Sequence, residues 1–231
     1  MYNITILRTA HIDCANSVLY KDGDYNQATT IGCHCFLLNK GDEYYLIDTG
    51  IENIKTVNKT KSSKADWTRG EGEHTAKENL EFLGIDCDKI SKVFVTHAHY
   101  DHISGACHFK NAKFYMTKTE YDAFYAENNK LKAFLGDVME FLSHDRIVVF
   151  DDELTVDDIR LKLRGGHTPG SMSVEVDGIL FTGDTLFVQE NIRRKTPAGF
   201  TEDRDTSDAL LKQYLEYNGK IVTSHDFNEV I

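Results

Sequence analysis

Lys92-Val93-Phe94-Val95-Thr96-His97-Ala98-His99-Tyr100-Asp101-His102 is the stretch on which the reading of this chain turns. Its first five residues, β-branched or aromatic apart from Lys92, have the composition of a strand. The next six place four ligand-type side chains against the end of that strand. On a helix, residues two apart point nearly opposite ways, and helical metal pairs use a four-residue spacing instead. In an extended chain, residues two apart share a side. His97, His99 and Asp101 are therefore expected to aim into one cavity as the chain leaves its strand. His102 is off that parity, and a turn there would send it toward a second, adjacent position. A polar turn with exposed histidines is the ordinary alternative, and the density of ligand types argues against it. One short segment thus offers ligands to two metal ions.

The same design recurs along the chain. His167 sits in Gly165-Gly166-His167-Thr168-Pro169-Gly170-Ser171, after a strand and beside glycines that let backbone approach a crowded site. Asp184 follows the strand Ile179-Leu180-Phe181-Thr182, and His225 follows Ile221-Val222-Thr223. Asp48, in Leu46-Ile47-Asp48-Thr49-Gly50, fits the same pattern. Any one of these alone would read as a loop or cap residue. Together they put a ligand-type residue at the end of strand after strand. His11, His34, His74, His108 and His144 fall outside the pattern and read as surface or packing, with the Thr9 to Tyr20 segment a candidate for part of a pocket wall.

Around these sites strands and helices alternate. Cys35 to Leu38 and Tyr44 to Ile47 read as strands paired across the Asn39-Lys40-Gly41-Asp42 turn. A helix is expected from His74 to Leu83, stopped by Gly84. Others are expected over roughly Lys118 to Ala126, and from Asp208 to Tyr217 with Leu210, Leu211, Tyr214 and Leu215 on one stripe. Further strands are expected at Ile147 to Phe150, Arg160 to Leu163, Ser173 to Val176, Gly178 to Thr182 and Lys220 to Thr223. Several strands per half with flanking helices imply two sheets packed face to face and covered by helices. Glu52 to Gly72 shows little periodicity and is a candidate substrate lid, Trp67 included.

Composition narrows the partners. The chain has 231 residues, 41% apolar and 27% charged, with a net charge of −11. That charge works against nucleic acid and against an anionic membrane surface, which need clustered Lys and Arg. Arg193-Arg194-Lys195 is too short to reverse it. No stretch approaches a membrane span, and no targeting segment is visible at the N-terminus. The cysteines number five, and Cys33 and Cys35, one residue apart on a strand, form neither a good disulfide pair nor a zinc knuckle. They read as buried or semi-buried thiols of a reducing compartment, with Cys14 or Cys107 expected nearest a site. The expectation is a soluble cytoplasmic protein, monomer or homodimer, acting on a small molecule.

The HxHxDH segment, followed in order by GHTPGS, GD and a final His, resembles the metallo-β-lactamase superfamily. That resemblance implies an α/β fold (α+β by some schemes): a four-layer αβ/βα sandwich, two mixed sheets between helical layers, forming one domain over 1–231. It implies that His97, His99 and His167 hold one divalent metal ion, that Asp101, His102 and His225 hold another, and that Asp184 bridges them. Asp48 matches a position that orients a ligand histidine. A histidine and carboxylate set without thiolate suits zinc first, and also accepts manganese, iron or cobalt.

Within the superfamily the chain most resembles the N-acyl-homoserine lactonases, through Gly183-Asp184, Gln189-Glu190-Asn191, Pro197-Ala198-Gly199-Phe200 and Ser224-His225-Asp226. The implied activity is quorum-quenching hydrolysis of a small lactone or related ester, with Asp101 carrying a proton to the leaving oxygen. Those lactonases have a tyrosine three residues after the bridging aspartate, where this chain has Phe187, which cannot hydrogen-bond. Phe187, Trp67 and Tyr20 are candidate pocket residues, with Tyr25 and Tyr100 further aromatics near the site. A glyoxalase II-like thioester hydrolase is the leading alternative and would need Arg193 and Arg194 to grip a carboxylate. A phosphodiesterase of the same superfamily is disfavoured by the acidic charge, and a true β-lactamase by the carboxylate at 184. A flavodiiron-type module would carry Glu in place of His99 and a fused flavin domain.

Overall fold

The computed structural model describes residues 1–60, 65–142 and 145–227. His144 and the 61–64 part of the expected lid lie outside the described residues. Two sheets form. The first runs in the order β1 (Asn3–Ala15), β2 (Ala28–Lys40), β3 (Glu43–Ile47), β4 (Ile90–Phe94), β5 (Lys113–Thr117), β6 (Ile147–Phe150). Its first three strands are antiparallel, and β3 to β6 are parallel. The second runs β11 (Lys220–Val222), β10 (Ile179–Phe181), β9 (Met172–Val176), β8 (Ile159–Leu163), β7 (Glu153–Val156), antiparallel except for the β10–β11 pair.

Strand parity explains how the layers stack. Along β2, β3 and β4, Phe36, Leu38, Tyr45, Ile47 and Phe94 face the second sheet, where they meet Ile159, Leu161, Met172, Val174, Phe181 and Val222. The alternate residues Cys35, Leu37, Leu46 and Val93 face the opposite way, into a separate helix-side core. Phe36 and Phe181 pack across the interface with ring centroids 4.8 Å apart. Each fully buried side chain of this kind contributes roughly 1.5–3 kcal/mol. The outer face of the first sheet is covered by α2 (Ile54–Thr60), α3 (Ala76–Phe82), α4 (Tyr100–Ile103), α5 (Lys118–Tyr125) and α6 (Lys132–Phe141). The second is covered by α8 (Arg204–Leu215) through Leu210, Leu211 and Tyr214. Leu215, expected on that stripe, is exposed. Among the described residues two short α-helices remain, α1 (Asn16–Leu19) and α7 (Glu190–Arg194). The result is the α/β sandwich with two mixed sheets between helical layers.

Local signals set several boundaries. Thr75 and Glu78 form a capping box that starts α3 at Ala76. Asp203 accepts from the Thr206 N–H, so α8 begins four residues before Asp208. The Glu52 to Gly72 stretch departs from the expected irregular lid, because α2 lies within it. Asn58 and Trp67 exchange two hydrogen bonds of 2.8 and 3.0 Å, and Thr68 pairs with the backbone of His11. The Arg69 guanidinium donates to the carbonyls of Thr9 and Ile51. Trp67 is therefore anchored in a wall. No helix among the described residues is long and apolar enough to cross a membrane. All five cysteines are free.

Candidate metal centre

The ligand-type residues converge at one end of both sheets. Asp48 leaves β3, His97 to His102 follow β4, His167 lies in the β8–β9 loop, Asp184 follows β10, and His225 follows β11. They form two groups. His97, His99 and His167 bring ring nitrogens together, and Asp101, His102, Asp184 and His225 form the other set, the ligand atoms of each group lying within 4.8 Å of one another. The parity argument holds for His97 and His99 and fails at Asp101. Helix α4 begins at Tyr100, so Asp101 turns away to join His102.

Asp184 stands between the groups. Its Oδ2 is 3.7 Å from His97 Nε2 and 3.5 Å from His167 Nε2. Its Oδ1 is 3.2 Å from His102 Nε2 and 3.1 Å from His225 Nε2. Asp101 Oδ2 lies 3.7 Å from His102 Nε2 and 3.8 Å from His225 Nε2. Gly183, at φ +51, makes the turn that delivers Asp184; a Cβ there would stand 2.8 Å from Thr96.

Hydrogen bonds on the far side of each ring define its tautomer. Asp48 Oδ2 accepts from His102 Nδ1 at 2.8 Å, while its two oxygens also take the Thr96 N–H and hydroxyl. The carbonyl of Gly32 accepts from His225 Nδ1 at 2.7 Å, and that of Phe200 from His167 Nδ1 at 3.1 Å. Carbonyl and carboxylate partners require N–H at Nδ1, leaving the Nε2 lone pairs of these three rings aimed into the centre. His99 is different: its Nδ1 is the inward atom, 3.0 Å from the Nε2 of both His97 and His167.

This donor set fits metal. His102 Nε2 and Asp184 Oδ1 are buried and make no hydrogen bond among the described residues, despite lying 3.2 Å apart. Buried polar atoms are rarely left so, and lone pairs gathered around a common point are unfavourable without a cation between them. The metal-free charges agree. Burial holds the His97 imidazole well below its ordinary range, and lowers that of His167 to about 4. Burial also acts to discharge His102 and His225, but nearby carboxylates, Asp184 foremost, outweigh it and raise both. Asp184 itself is held well below the usual carboxylate range: burial opposes this, and the imidazoles of His225, His102 and His97 overcome it. Metal binding at such a set releases the protons held on its histidines.

A cleft of about 310 Å³ opens onto this centre, lined by Ile12, Cys14, Val18, Ile31, Val57 and Trp67 on the wall and by Phe187, Phe200, Asp101 and His225 beside the ligands. Phe187 stacks on His225 with centroids 5.4 Å apart and meets His167 edge-on. Tyr100 also lines the cleft. Tyr20, expected with Phe187 and Trp67, is not among the lining residues. Its ring is buried under the Arg194 guanidinium, 4.2 Å from centroid to carbon, because packing against α7 claims its face. Tyr25 is exposed. Of the two cysteines expected nearest a site, Cys14 lines the cleft and Cys107 does not; burial first, then Asp184, pushes the Cys14 thiol up to about 12.

His34, read as surface or packing, is buried and donates from Nε2 to the Asp226 carbonyl at 2.9 Å, bracing the chain just past His225. Burial is the main reason its folded pKa falls to about 4. The native state therefore binds fewer protons than the unfolded state between about 4 and the ordinary histidine value, and stability declines as pH falls through that window. The expected loss for metal-free protein is roughly 3 kcal/mol between pH 6.5 and 4. Urea unfolding of wild type beside His34→Gln measures it: the wild-type stability should fall more steeply by about that amount, and parallel curves would refute the assignment.

The chain belongs to the metallo-beta-lactamase superfamily, whose profile matches residues 28–217. Among curated relatives, the N-acyl homoserine lactonase AiiA of Bacillus thuringiensis subsp. kurstaki is 26% identical over 209 residues, spanning 84% of this chain and 81% of its own length. The fold is shared with an N-acyl homoserine lactone hydrolase solved with the product N-hexanoyl-L-homoserine at its catalytic metal centre, at TM-score 0.80 and 19% identity, over 96% of this chain and 92% of that one. It is shared too with a probable metal-dependent hydrolase from Staphylococcus aureus, at TM-score 0.78 and 18% identity, over 97% and 89% of the two chains.

Proposed function

We propose that this chain is a dinuclear metal-dependent hydrolase that opens the lactone or related ester bond of a small molecule bearing an apolar chain. The observation that carries the reading is a carboxylate, Asp184, shared between two ligand groups at the end of an apolar cleft. The likeness to N-acyl homoserine lactonases supports the bond type. His97, His99 and His167 would hold one cation, Asp101, His102 and His225 the other, with zinc the first candidate and manganese, iron or cobalt acceptable to the same donors. Two such cations supply a nucleophilic water at neutral pH and polarise the carbonyl under attack.

The chain's own groups do the rest. Ile12, Val18, Ile31, Val57 and Trp67 exclude water and bind the apolar part of the substrate. Asp101, on the cleft wall, is the carboxylate placed to hold a proton and return it to the leaving oxygen. Phe187 gives the leaving group a flat apolar neighbour in place of a hydroxyl. The thioester alternative loses its cationic grip: Arg193 pairs with Glu190, and Arg194 covers Tyr20, neither lining the cleft. The whole chain is proposed to act as one domain, in the cytoplasm.

Lactone opening followed by liquid chromatography tests this, with protein loaded with zinc, manganese or iron and a panel of acyl-homoserine and simple alkyl lactones. Turnover on at least one class is expected. Metal-replete protein that opens none of them overturns the ester assignment and moves thioesters and phosphodiesters forward.

A further inference from the structure

Glu120 is buried, at 4% exposure, in the first turn of α5. Its Oε1 accepts the Ala98 N–H at 2.7 Å, and its Oε2 accepts the Thr168 hydroxyl at 2.6 Å. Ala98 lies between His97 and His99, and Thr168 follows His167. One carboxylate thus ties together the two loops that carry all three histidines of the first ligand group, although those loops spring from different sheets. The packing leaves it little freedom. Thr117 Oγ1 accepts the Glu120 N–H and donates to the Gly170 carbonyl, and a Cβ on Gly170 would stand 2.2 Å from the Glu120 nitrogen. The His167 loop therefore lies directly on the start of α5. The second group is braced elsewhere, by Asp48 behind His102 and by the Gly32 carbonyl behind His225.

We propose that Glu120 is a positioning residue that sets the affinity of the His97–His99–His167 position more than that of the Asp101–His102–His225 position. Partners that orient metal ligands change metal affinity by about 10–100-fold when removed, and here the effect falls chiefly on one position: the clamp holds both of its loops, while the Asp101–His102 end of the shared segment is braced separately by Asp48. The inference rests on the dinuclear reading of the site and not on the substrate.

The test is a zinc titration of metal-free full-length protein against a chromophoric chelator, with bound zinc counted by mass spectrometry. Wild type should take up two ions. Glu120→Leu should keep one near wild-type affinity and weaken the other about 10–100-fold. Glu120→Gln should recover most of the loss, since its amide oxygen can accept from Ala98 and its amide N–H can donate to the Thr168 hydroxyl. Thr168→Val removes one arm while leaving Glu120 in place, and it decides the matter if Glu120→Leu does not fold by circular dichroism. It should weaken one ion by a smaller factor. Two ions bound by Glu120→Leu and Thr168→Val as tightly as by wild type, or both weakened equally, would overturn the clamp. A wild-type chain that holds fewer than two ions overturns the dinuclear reading, and the clamp with it.

Discussion

Asp184→Asn is expected to reduce hydrolysis by roughly a thousandfold or more and to cost the chain at least one of the two metal ions proposed for it. The size of the effect follows from where the two oxygens point. Oδ2 lies near His97 and His167 and also 3.2 Å from His225, and Oδ1 faces His102 and His225, so the carboxylate borders both groups at once. An amide removes the negative charge from a fully buried position. It also turns N–H donors toward imidazole nitrogens, two of which owe the largest part of their raised proton affinity to this carboxylate. The metal-free variant should lose the largest of the charges that raise His102 and His225, so it should release fewer protons on zinc addition than wild type. Metal counting, proton release and lactone turnover read the three consequences separately. Two tightly held ions with turnover within tenfold of wild type would overturn the bridging role.

Asp101→Asn is the second large effect, and its signature differs. Asp101 lines the cleft, and its carboxylate is nearer 4 Å than 3 Å from the two histidine nitrogens it faces. It is the member of its group best placed to touch substrate. Loss of a general acid typically costs about 10²–10⁴-fold, here expected in kcat for an alkoxide leaving group. A leaving group that departs without a proton, such as a thiolate or an activated phenolate, should lose far less. Comparing an alkyl lactone with its thiolactone in both proteins separates this role from plain ligation. Equal losses on the two substrates would show that Asp101 acts as a ligand alone.

Much of the centre could be read along the chain, because its ligands obey a local rule. A strand long enough to be apolar ends, and a histidine or aspartate follows; β4 with His97, β10 with Asp184 and β11 with His225 all show it. The rule failed where local geometry changed. Alternation along an extended chain puts Asp101 with His97 and His99, but one helical turn from Tyr100 to Ile103 reassigns it. Helix α6 was not anticipated, since Gly136 interrupts its pattern and Leu135 departs from helical angles. Strands β1 and β2 run far beyond their apolar cores because their long antiparallel pairing supplies the backbone hydrogen bonds that sequence periodicity does not signal.

Glu120 and Tyr20 mark the boundary more sharply. Glu120 carries no metal-ligand spacing in its expected helix; only folding brings Ala98 and Thr168 to its two oxygens. Tyr20 sits near the pocket segment in sequence, yet its ring goes to Arg194, 174 residues on. By itself, the sequence determined the layered α/β class, the identity of the seven ligand-type residues and their place at strand ends, because strand periodicity and side-chain chemistry are local properties. Only the tertiary structure decided how the ligand-type side chains stand to one another, which ring nitrogen each presents, and which aromatic side chains wall the cleft. Those depend on hydrogen bonds and packing between residues tens to hundreds of positions apart, whose geometry exists only once the two sheets have closed on each other.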